Sequence, residues 1–321
     1  LLADPDGPNG SVAGPGSVYG RCPVRRPRTG PAHPAGAPHL TGAPTRGHYH
    51  RAVQRDEVDQ VVLTRFNVEL RPGRGRGVER SWLDERLTIF ERVCAPSMRA
   101  QHGPARPWLI FVDDRTPVAD RNRIAAAGLP GQVRIVPVDG PLPDARLQQL
   151  VAREIPADRD YLVSTRLDND DALAADHLEV VRVAAVPVEA EFLNPWRGFQ
   201  VAGDRVYATR DPSSPFLSLV ERRRDDWPPA TAFCAEHRRS AETFPVRQLR
   251  GPAMWVQSVH GANLLNSITG IRVDADRLRD RFDHLAPAHP DVHDVSFRLD
   301  QVRSAARAAV TRGRRAVLTA W

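Results

Sequence analysis

Four short apolar runs alternate with helix-like segments over about 110 residues, and this alternation constrains the fold more than any other feature. Each run is rich in β-branched residues and too short for a buried helix, which is typical of strands buried on both faces of a sheet. Strands that alternate with helices through short connections form right-handed βαβ units and a mostly parallel sheet. We therefore expect an α/β fold with strands at 60–64, 108–112, 133–138 and 161–165.

Helix-forming segments lie between and after the predicted strands. Ser81 is expected to cap the first helix, because its hydroxyl can accept a hydrogen bond from a free backbone N–H group. Pro96 is expected to end this helix, and Gly128, a residue type common at helix C termini, is expected to stop the second. The apolar face of the first helix comprises Leu83, Leu87, Phe90 and Cys94, and later helices are predicted at 117–127, 144–154 and 172–184.

The second half of the chain has a different pattern. Alternating apolar residues at 199–202 and 205–208 flank a Gly-Asp pair, which predicts a β-hairpin that extends the same sheet and gives this half an α+β character. Residues 1–50 contain nine Pro and nine Gly without apolar periodicity, which is typical of disorder. The predicted divisions are a disordered extension at 1–55, a single mostly parallel α/β domain at 56–285 and an arginine-rich helical extension at 286–321.

Composition excludes several classes of protein. No run approaches the roughly 18 apolar residues of a membrane-spanning helix, and no secretory signal is visible, so we expect a cytoplasmic protein. The three cysteines are far apart, which predicts neither a disulfide framework nor a structural zinc site. All 45 basic residues are arginines scattered among 39 acidic residues, so the net charge of +6 does not predict a nucleic-acid partner.

A cluster of acidic residues directly follows the fourth predicted strand. Asp168, Asp170 and Asp171 lie where ligands bind in parallel sheets, beyond the carboxyl ends of the strands. Such carboxylates raise one another's pKa unless a cation neutralises them, and oxygen ligands suit Mg²⁺ or Mn²⁺. The metal would then stabilise a diphosphate leaving group. The alternative is that Asp170 or Asp171 only caps the helix that follows.

Four strings in the chain carry a family resemblance. They are VLTRFN at 62–67, WLDER at 82–86 with Phe-Glu at 90–91 and Pro-Ser at 96–97, TRLDNDD at 165–171 and WVQSVHGAN at 255–263. Together they resemble the bacterial family named putative rhamnosyltransferases, over about 58–282. The acid-x-acid string also resembles the Asp-x-Asp motif of nucleotide-sugar-dependent glycosyltransferases. The resemblance implies a Rossmann-like fold of the glycosyltransferase A type and transfer of a sugar, with rhamnose as a candidate.

The resemblance also implies roles for the acidic residues and for one histidine. Asp168 and Asp170 would bind the metal and the donor diphosphate, and Asp171 would be a further ligand or a hydrogen-bond partner of the donor sugar. His260 would be a metal ligand, because a neutral imidazole is acceptable to Mn²⁺; a purely structural histidine is the alternative. The implied cofactor is Mn²⁺ or Mg²⁺.

Four other residues are predicted to bind the donor. The resemblance places Thr64 and Arg65 beside the nucleotide, where an arginine can hold a phosphate or stack on a base. Asn263 would bond a sugar hydroxyl or a phosphate oxygen. Arg166 would either bind an anion or pair locally with the neighbouring aspartates.

An inverting transfer also needs a carboxylate that takes the proton from the acceptor hydroxyl. A retaining transfer would not need a base in the same place. Candidates after the hairpin are Asp225, Asp226, Glu236 and Glu242, of which we predict Glu236 and Asp226, together with Asp171, as catalytic residues.

The sequence thus predicts a metal-dependent glycosyltransferase that uses a nucleotide-diphosphate sugar and a glycan or lipid-linked acceptor. Trp196 would either stack on the acceptor sugar or pack in the core, and the C-terminal helix would either pack on the domain or contact an acidic membrane. The alternatives are a metal-dependent nucleotidyltransferase or pyrophosphorylase and a non-catalytic protein that binds polyanions or glycans. The first alternative is disfavoured because no glycine-rich loop with lysine lies near the first strand.

Overall fold

The structure is a computed structural model, and it describes five stretches of the chain. These are residues 57–70, 77–224, 228–260, 267–285 and 295–318, with the side chains of the last stretch described over 296–310. The predicted extension at 1–55 and two predicted site residues, Asp226 and Asn263, lie outside the described residues.

Twelve strands form two sheets in the described residues. In chain order they are β1 Val58–Arg65, β2 Trp108–Asp113, β3 Val133–Val138, β4 Tyr161–Arg166, β5 Ala172–Leu173, β6 Ala190–Pro195, β7 Arg197–Ala202, β8 Arg205–Arg210, β9 Ser218–Arg222, β10 Val246–Leu249, β11 Trp255–Ser258 and β12 Ile271–Val273. The larger sheet has seven strands in the order β10-β6-β9-β4-β1-β2-β3. Within it β9 runs antiparallel to both of its neighbours, and the other pairings are parallel. The predicted α/β class with a mostly parallel central sheet is confirmed.

The predicted hairpin is present, but it belongs to a second sheet. β7 and β8 pair antiparallel around Gly203, whose φ of +61° suits the tight turn. They lie in a five-stranded sheet of order β12-β8-β7-β11-β5, so the prediction that the hairpin extends the first sheet was wrong. Trp196 alone separates β6 from β7, and the chain passes from the first sheet to the second at this residue.

Seven α-helices are described; the helix predicted at 144–154 is confirmed with the same bounds, and the other predicted helices differ in their bounds. The seven described helices are α1 Arg80–Ile89, α2 Ala95–Arg99, α3 Val118–Ala125, α4 Asp144–Glu154, α5 His177–Ala184, α6 Asp276–Arg279 and α7 Val295–Leu318. A π-helical turn at Phe90–Cys94 joins α1 to α2, and 3₁₀ turns occur at His237–Glu242 and Asp283–Leu285. The fourth predicted helix is shorter than expected, because its first two residues form β5 instead.

Three predicted helix ends were wrong. Ser81 lies inside α1, which begins after Glu79 without a side-chain cap. Pro96 does not end the helical path, because it occupies the first turn of α2, where its missing N–H group costs little. Gly128 lies beyond the end of α3, and a Cβ there would be 2.5 Å from the Val133 Cγ2 atom. Close packing against Val133, rather than a left-handed cap, therefore explains this glycine.

The predicted apolar faces lie in the core. Leu83, Leu87, Phe90 and Cys94 are fully buried against the first sheet. Trp255 is also buried and stacks on Phe216, with ring centroids 4.6 Å apart. In the described part of the chain, no helix has the length and apolar character needed to cross a membrane.

The C-terminal helix α7 packs on the second sheet, but not through the apolar stripe that its sequence predicts, which comprises Val295, Leu299, Val302, Ala306 and Val310. The Ser304 hydroxyl accepts a hydrogen bond from the Arg272 N–H at 2.9 Å, and Asp300 accepts one from the Tyr207 hydroxyl at 2.8 Å. Leu299, Val302 and Val310 of the stripe are 49%, 67% and 57% exposed. The helix therefore docks through polar contacts and leaves its apolar stripe accessible.

Candidate functional site

The loop that follows β4 lies at the carboxyl edge of the central sheet, beside the end of β1. The two strands are parallel neighbours, and the Leu167 N–H continues their pairing by donating to the Leu63 carbonyl at 3.1 Å. Asn169 also fixes the loop, because its side-chain amide donates to the Phe66 carbonyl at 2.7 Å. This register places the predicted acidic cluster where parallel sheets bind ligands.

Thr64 supports this loop from the core. Its hydroxyl donates to the Leu167 carbonyl at 2.8 Å and accepts a hydrogen bond from the Trp108 indole at 2.9 Å. The residue is fully buried, so its side chain does not reach a ligand in this structure. In the structure the Thr64 side chain therefore positions the acidic loop, and its place beside the nucleotide stays a prediction.

Asp170 joins three separate segments of the chain. Its Oδ2 atom lies 2.7 Å from the Arg86 Nη1 atom of α1 and 3.0 Å from the His260 Nε2 atom, which follows β11. Asp170 is 7% exposed, and the side chains of Arg86 and His260 are 12% and 22% exposed. The structure thus brings together two predicted metal ligands that are 90 positions apart in the sequence.

Arg86 was not predicted as a site residue. It lies in the WLDER string, but helical periodicity alone does not show which polar residue of α1 faces the acidic loop. The string itself was therefore the signal that could have identified Arg86.

Asp171 is held between the same loop and β11. Its Oδ1 atom accepts a hydrogen bond from the Ser258 N–H at 2.9 Å, and the residue is 3% exposed. Burial and the nearby charges of Asp170 and Asp168 raise the pKa of Asp171 well above its ordinary value. The Ser258 hydrogen bond opposes this change, but burial has the larger effect.

Asp168 forms an ion pair with Arg166 at the more open side of the cluster. The Arg166 Nη2 atom lies 3.0 Å from the Asp168 Oδ2 atom, and the Asp168 side chain keeps 35% exposure. Burial in the cleft raises the pKa of Asp168, but Arg166 and Arg65 together outweigh it and hold this pKa below its ordinary value. Arg166 was predicted either to bind an anion or to pair locally with an aspartate, and the structure shows the local ion pair.

Phe233 supports two arginines at this edge. The guanidinium carbons of Arg65 and Arg166 lie 4.2 Å and 5.1 Å from the centroid of its ring. Two cations on one buried aromatic ring form a site that favours an anion. The sequence patterns gave no signal for Phe233, because it lies outside the regular elements.

The predicted base Glu236 precedes a 3₁₀ turn that faces Arg166. His237 begins this turn, and its Nδ1 atom lies 2.9 Å from the Ser213 carbonyl oxygen. Burial and the charge of Arg166 lower the pKa of His237 to about 4, against the opposite influence of Asp211 and Asp168. His237 is therefore neutral near pH 7, and Glu236 is half-buried beside it.

Asp144, at the start of α4, is a further acidic group near the two arginines. Burial raises the pKa of Asp144 to about 6, although Arg65 and Arg166 act to lower it. Its buried Oδ2 atom has no hydrogen-bond partner among the described residues. Sequence analysis treated Asp144 only as the first residue of a helix, because nothing local linked it to Arg65.

The chemistry of the cluster suits a divalent cation, but the ligands are only partly assembled. Asp170 and His260 offer a carboxylate oxygen and an imidazole nitrogen, a pair that suits Mn²⁺. Arg86 donates to the same Asp170 oxygen, and Arg166 pairs with Asp168. Within the described ranges, no three His, Cys, Asp or Glu side chains are grouped to hold a metal ion. A cation that binds the Oδ2 atom of Asp170 would therefore compete with Arg86 for this oxygen.

The family resemblance of the sequence implied an enzyme that transfers a sugar. The structure has the architecture expected for it, a mostly parallel sheet with an acidic loop at its carboxyl edge. The chain belongs to the family described as "Putative rhamnosyl transferase", which matches residues 77–272, more than half of its length. Family and fold together support sugar transfer from a nucleotide sugar. None of the curated protein sequences is significantly similar to this chain.

Solved structures with a similar chain path are distant. A mannosyltransferase from Pyrobaculum calidifontis, in complex with GDP-Man and Mn²⁺, shares 14% identity over 65% of this chain and 59% of its own, with a TM-score of 0.39. Residues 1–349 of TarS from S. aureus share 10% over 62% and 60%, with a TM-score of 0.36. A 4-diphosphocytidyl-2C-methyl-D-erythritol synthase shares 14% over 65% and 93%, with a TM-score of 0.32. The chain thus spans less than two thirds of the mannosyltransferase and of TarS.

Proposed function

We propose that the chain is a glycosyltransferase that takes a sugar, with rhamnose as the first candidate, from a nucleotide-diphosphate donor to a glycan or lipid-linked acceptor. The observation that carries this proposal is the meeting of Asp170, Arg86 and His260 at the carboxyl edge of the central sheet. These groups come from three segments inside or near the family match, and they surround an oxygen that a cation can bind.

The donor diphosphate is proposed to bind beside Phe233. Arg65 and Arg166 place two positive charges over this ring, and guanidinium groups can bind phosphate oxygens through paired hydrogen bonds. Asp168 would be released from Arg166 as the phosphate takes its place, which leaves the carboxylate available to a metal. Asn263 remains the predicted partner of a sugar hydroxyl or a phosphate oxygen.

Mn²⁺ or Mg²⁺ is the proposed cofactor, held by Asp168, Asp170 and His260. A bound divalent cation would neutralise charge on the departing nucleoside diphosphate. Asp170 and His260 are already in contact, so this pair would form the first part of the site. Arg86 would then give up its hydrogen bond to Asp170 but could keep its contact with the Trp82 ring, whose centroid lies 5.2 Å from its guanidinium carbon.

Three carboxylates are proposed for the remaining chemistry. Asp171 has a pKa raised well above its ordinary value by burial and by Asp170 and Asp168, so it would donate a hydrogen bond to a donor-sugar oxygen. Glu236 and Asp226 remain the candidates for the base that accepts the acceptor proton. Support for Glu236 comes from its position three residues after Phe233, the residue whose ring contacts both donor arginines.

The test is calorimetric titration of the full chain with dTDP-, UDP- and GDP-sugars, with Mn²⁺ or Mg²⁺ and with EDTA. We expect one nucleotide sugar to bind with metal present and to release its nucleoside diphosphate when an acceptor is supplied. Asp170→Asn and Asp168→Asn should abolish the metal-dependent binding, and His260→Ala should weaken it less. Release of pyrophosphate instead would identify a nucleotidyltransferase.

The matched control is Asp204→Asn, which removes one carboxylate from the exposed turn between β7 and β8. This variant should bind the donor like the wild type. Circular dichroism and thermal unfolding would show that all four variants are folded. Wild-type donor affinity in Asp170→Asn would contradict the metal assignment, and absence of binding by every donor would contradict the proposed function.

A further inference from the structure

Three arginines surround Trp196 at the junction of the two sheets. The guanidinium carbons of Arg197, Arg210 and Arg250 lie 5.7, 5.8 and 5.4 Å from the centroid of the Trp196 ring. The residues stand at the start of β7, the end of β8 and directly after β10. The fold therefore brings three arginines, which are up to 53 residues apart in the sequence, close to one aromatic ring.

In the described parts of the chain these arginines form no ion pair, although Asp211 follows Arg210 in the sequence. None of the three arginines has a carboxylate oxygen within 4.0 Å there, whereas Arg123 pairs with Glu91 and Arg247 pairs with Glu191. Arg197 donates only to the Gly251 carbonyl, at 3.1 Å. The Trp196 indole nitrogen is buried and has no hydrogen-bond partner among the described residues. Like charges gathered without an ion-pair partner favour the binding of an anion.

The cluster is accessible and lies on the same side of the molecule as the donor arginines. Arg210 and Arg250 are exposed, and Trp196 is half-buried. The Trp196 carbonyl accepts a hydrogen bond from the Asp211 N–H at 2.7 Å, and two residues later the Ser213 carbonyl contacts His237. The charges of both Asp211 and Asp168 act on the His237 ring. A single short loop thus links the Trp196 cluster to the ion pair of Asp168 and Arg166.

We propose that Trp196, Arg197, Arg210 and Arg250 form the acceptor site and that the acceptor is an acidic glycan. The inference rests on the proposed function, because it assigns the second substrate of the same reaction. The sugar ring would stack on the indole face, while a carboxylate or phosphate on that sugar or its neighbour would bind the guanidinium groups. A neutral sugar would use the ring alone and leave three positive charges uncompensated.

The test uses the Trp196 indole as a local probe. The chain has six tryptophans, so a ¹⁵N correlation spectrum of the full chain contains up to six indole signals, and Trp196→Phe identifies the relevant one by its loss. The probes are tetragalacturonate, which carries carboxylates, glucose 6-phosphate, which carries a phosphate, and neutral maltotetraose. We expect an acidic probe to shift the Trp196 signal at concentrations at which maltotetraose does not. Comparison of the two acidic probes shows which anion the site prefers.

A double substitution tests the role of the arginines. Arg210→Gln/Arg250→Gln should weaken binding of the acidic probe by about tenfold, because two ion pairs are lost. Arg153→Gln/Arg277→Gln removes the same charge from exposed positions on α4 and α6 and should leave the affinity unchanged. Equal binding of maltotetraose and the acidic probes, or unchanged affinity in Arg210→Gln/Arg250→Gln, would overturn the inference.

A measurement of donor binding distinguishes failure of this inference from failure of the proposed function. Arg210→Gln/Arg250→Gln should bind the nucleotide sugar as the wild type does, because the donor arginines are intact. Donor binding without any response of Trp196 to the acidic probes would refute the acidic acceptor and leave the transferase in place. A response of Trp196 in a chain that binds no nucleotide sugar would refute the transferase instead.

Discussion

Arg86 and His260 share one carboxylate oxygen of Asp170, and this sharing determines how a cation can enter the acidic cluster. A guanidinium that donates to a carboxylate occupies the direction from which a metal would approach. The His260 Nε2 atom also donates in this contact, because a carboxylate oxygen only accepts, but in the other neutral tautomer this nitrogen has a lone pair that a metal can bind. Arg86 therefore acts as an internal competitor for the proposed cation, and His260 as its partner.

The substitution Arg86→Met tests this competition. We expect it to strengthen Mn²⁺ binding by roughly tenfold, because a hydrogen bond between charged groups contributes about 1.5–3 kcal/mol and would no longer have to be broken. Methionine keeps an apolar stem beside Trp82. The measurement is a calorimetric titration with Mn²⁺ alone, with Arg123→Met as the control at an exposed ion pair of α3. Weaker Mn²⁺ binding in Arg86→Met would show that Arg86 organises the site instead of blocking it.

Gly198 provides a second test at the scale of one residue. A Cβ at this position would lie 2.1 Å from the Trp255 Cδ2 atom, and Trp255 is itself stacked on Phe216 in the core. Gly198→Ala should therefore lower the free energy of unfolding by about 2 kcal/mol, since overpacked cores must rearrange. Gly251→Ala is the matched control, because no atom lies within 4 Å of its added Cβ. Urea unfolding of both variants gives the comparison, and equal stabilities would contradict the packing argument.

At the scale of elements, the first sheet could be predicted from sequence because its strands are long enough to show a pattern. β1, β2 and β4 are buried on both faces, so they appear as apolar runs. The second sheet could not be found in the same way. β5 and β12 contain two and three residues, too few for any periodicity, and only their partners in space make them strands.

The loop at 230–233 depends on a buried carboxylate of β9. The Glu221 side chain accepts hydrogen bonds from the Ala230 and Thr231 N–H groups at 2.7 and 3.0 Å. Thr231 has a φ of +64°, which is costly for a β-branched residue and is maintained by these contacts. The loop then places Phe233 below Arg65 and Arg166. β9 therefore supports, through this loop, the ring on which Arg65 and Arg166 lie, the two arginines proposed to bind the donor.

Glu221 predicts a pH dependence of stability. Burial raises its pKa from 4.5 to about 7, so between these values the folded chain holds a proton that the unfolded chain has lost. The stabilising contribution of this proton is complete below pH 4.5 and is lost as the pH rises through 7. Relative to Glu221→Gln, the wild type should lose about 3 kcal/mol between pH 4.5 and 8.

Comparison of the wild type with Glu221→Gln separates the contribution of Glu221 to stability from the contributions of the other titrating groups. His177 and His237 have pKa values lowered to about 4 by burial, so their contributions change with pH in the opposite direction and cancel in the difference. Urea unfolding at half-unit pH intervals gives the two curves. A constant difference between them would mean that the Glu221 pKa is not raised in the folded chain.

At the scale of the whole molecule, the site depends on contacts that no local pattern contains. The TRLDNDD and WVQSVHGAN strings could be recognised, and the fold brings Asp170 of the first to His260 of the second. Phe233 and Asp144 could not be selected, because their roles arise only when the 230–233 loop and α4 meet at one edge, and Arg86 could be found only through the WLDER string. The contacts of Thr64 could not be predicted for the same reason, because the last residues of a strand can face the core or a ligand.

The exposed stripe of α7 gives a prediction for the molecule as a whole. Leu299, Val302 and Val310 are exposed on a helix that also carries exposed arginines, a combination that favours an anionic membrane surface. The full chain should therefore sediment with vesicles that contain anionic lipid and should be released by salt. Leu299→Ser/Val302→Ser should reduce the bound fraction several-fold, because two apolar side chains no longer enter the interface.

The control for this prediction is Val118→Ser/Leu129→Ser, which replaces two apolar residues that are 62% and 37% exposed at and after α3. It should bind vesicles as the wild type does, since these residues lie outside the arginine-rich helix. If both double variants lose binding equally, the association depends on general surface hydrophobicity, and α7 has no specific role. If only the α7 variant loses binding, the helix would hold the enzyme at the membrane surface, where a lipid-linked acceptor is accessible to the edge that carries Trp196.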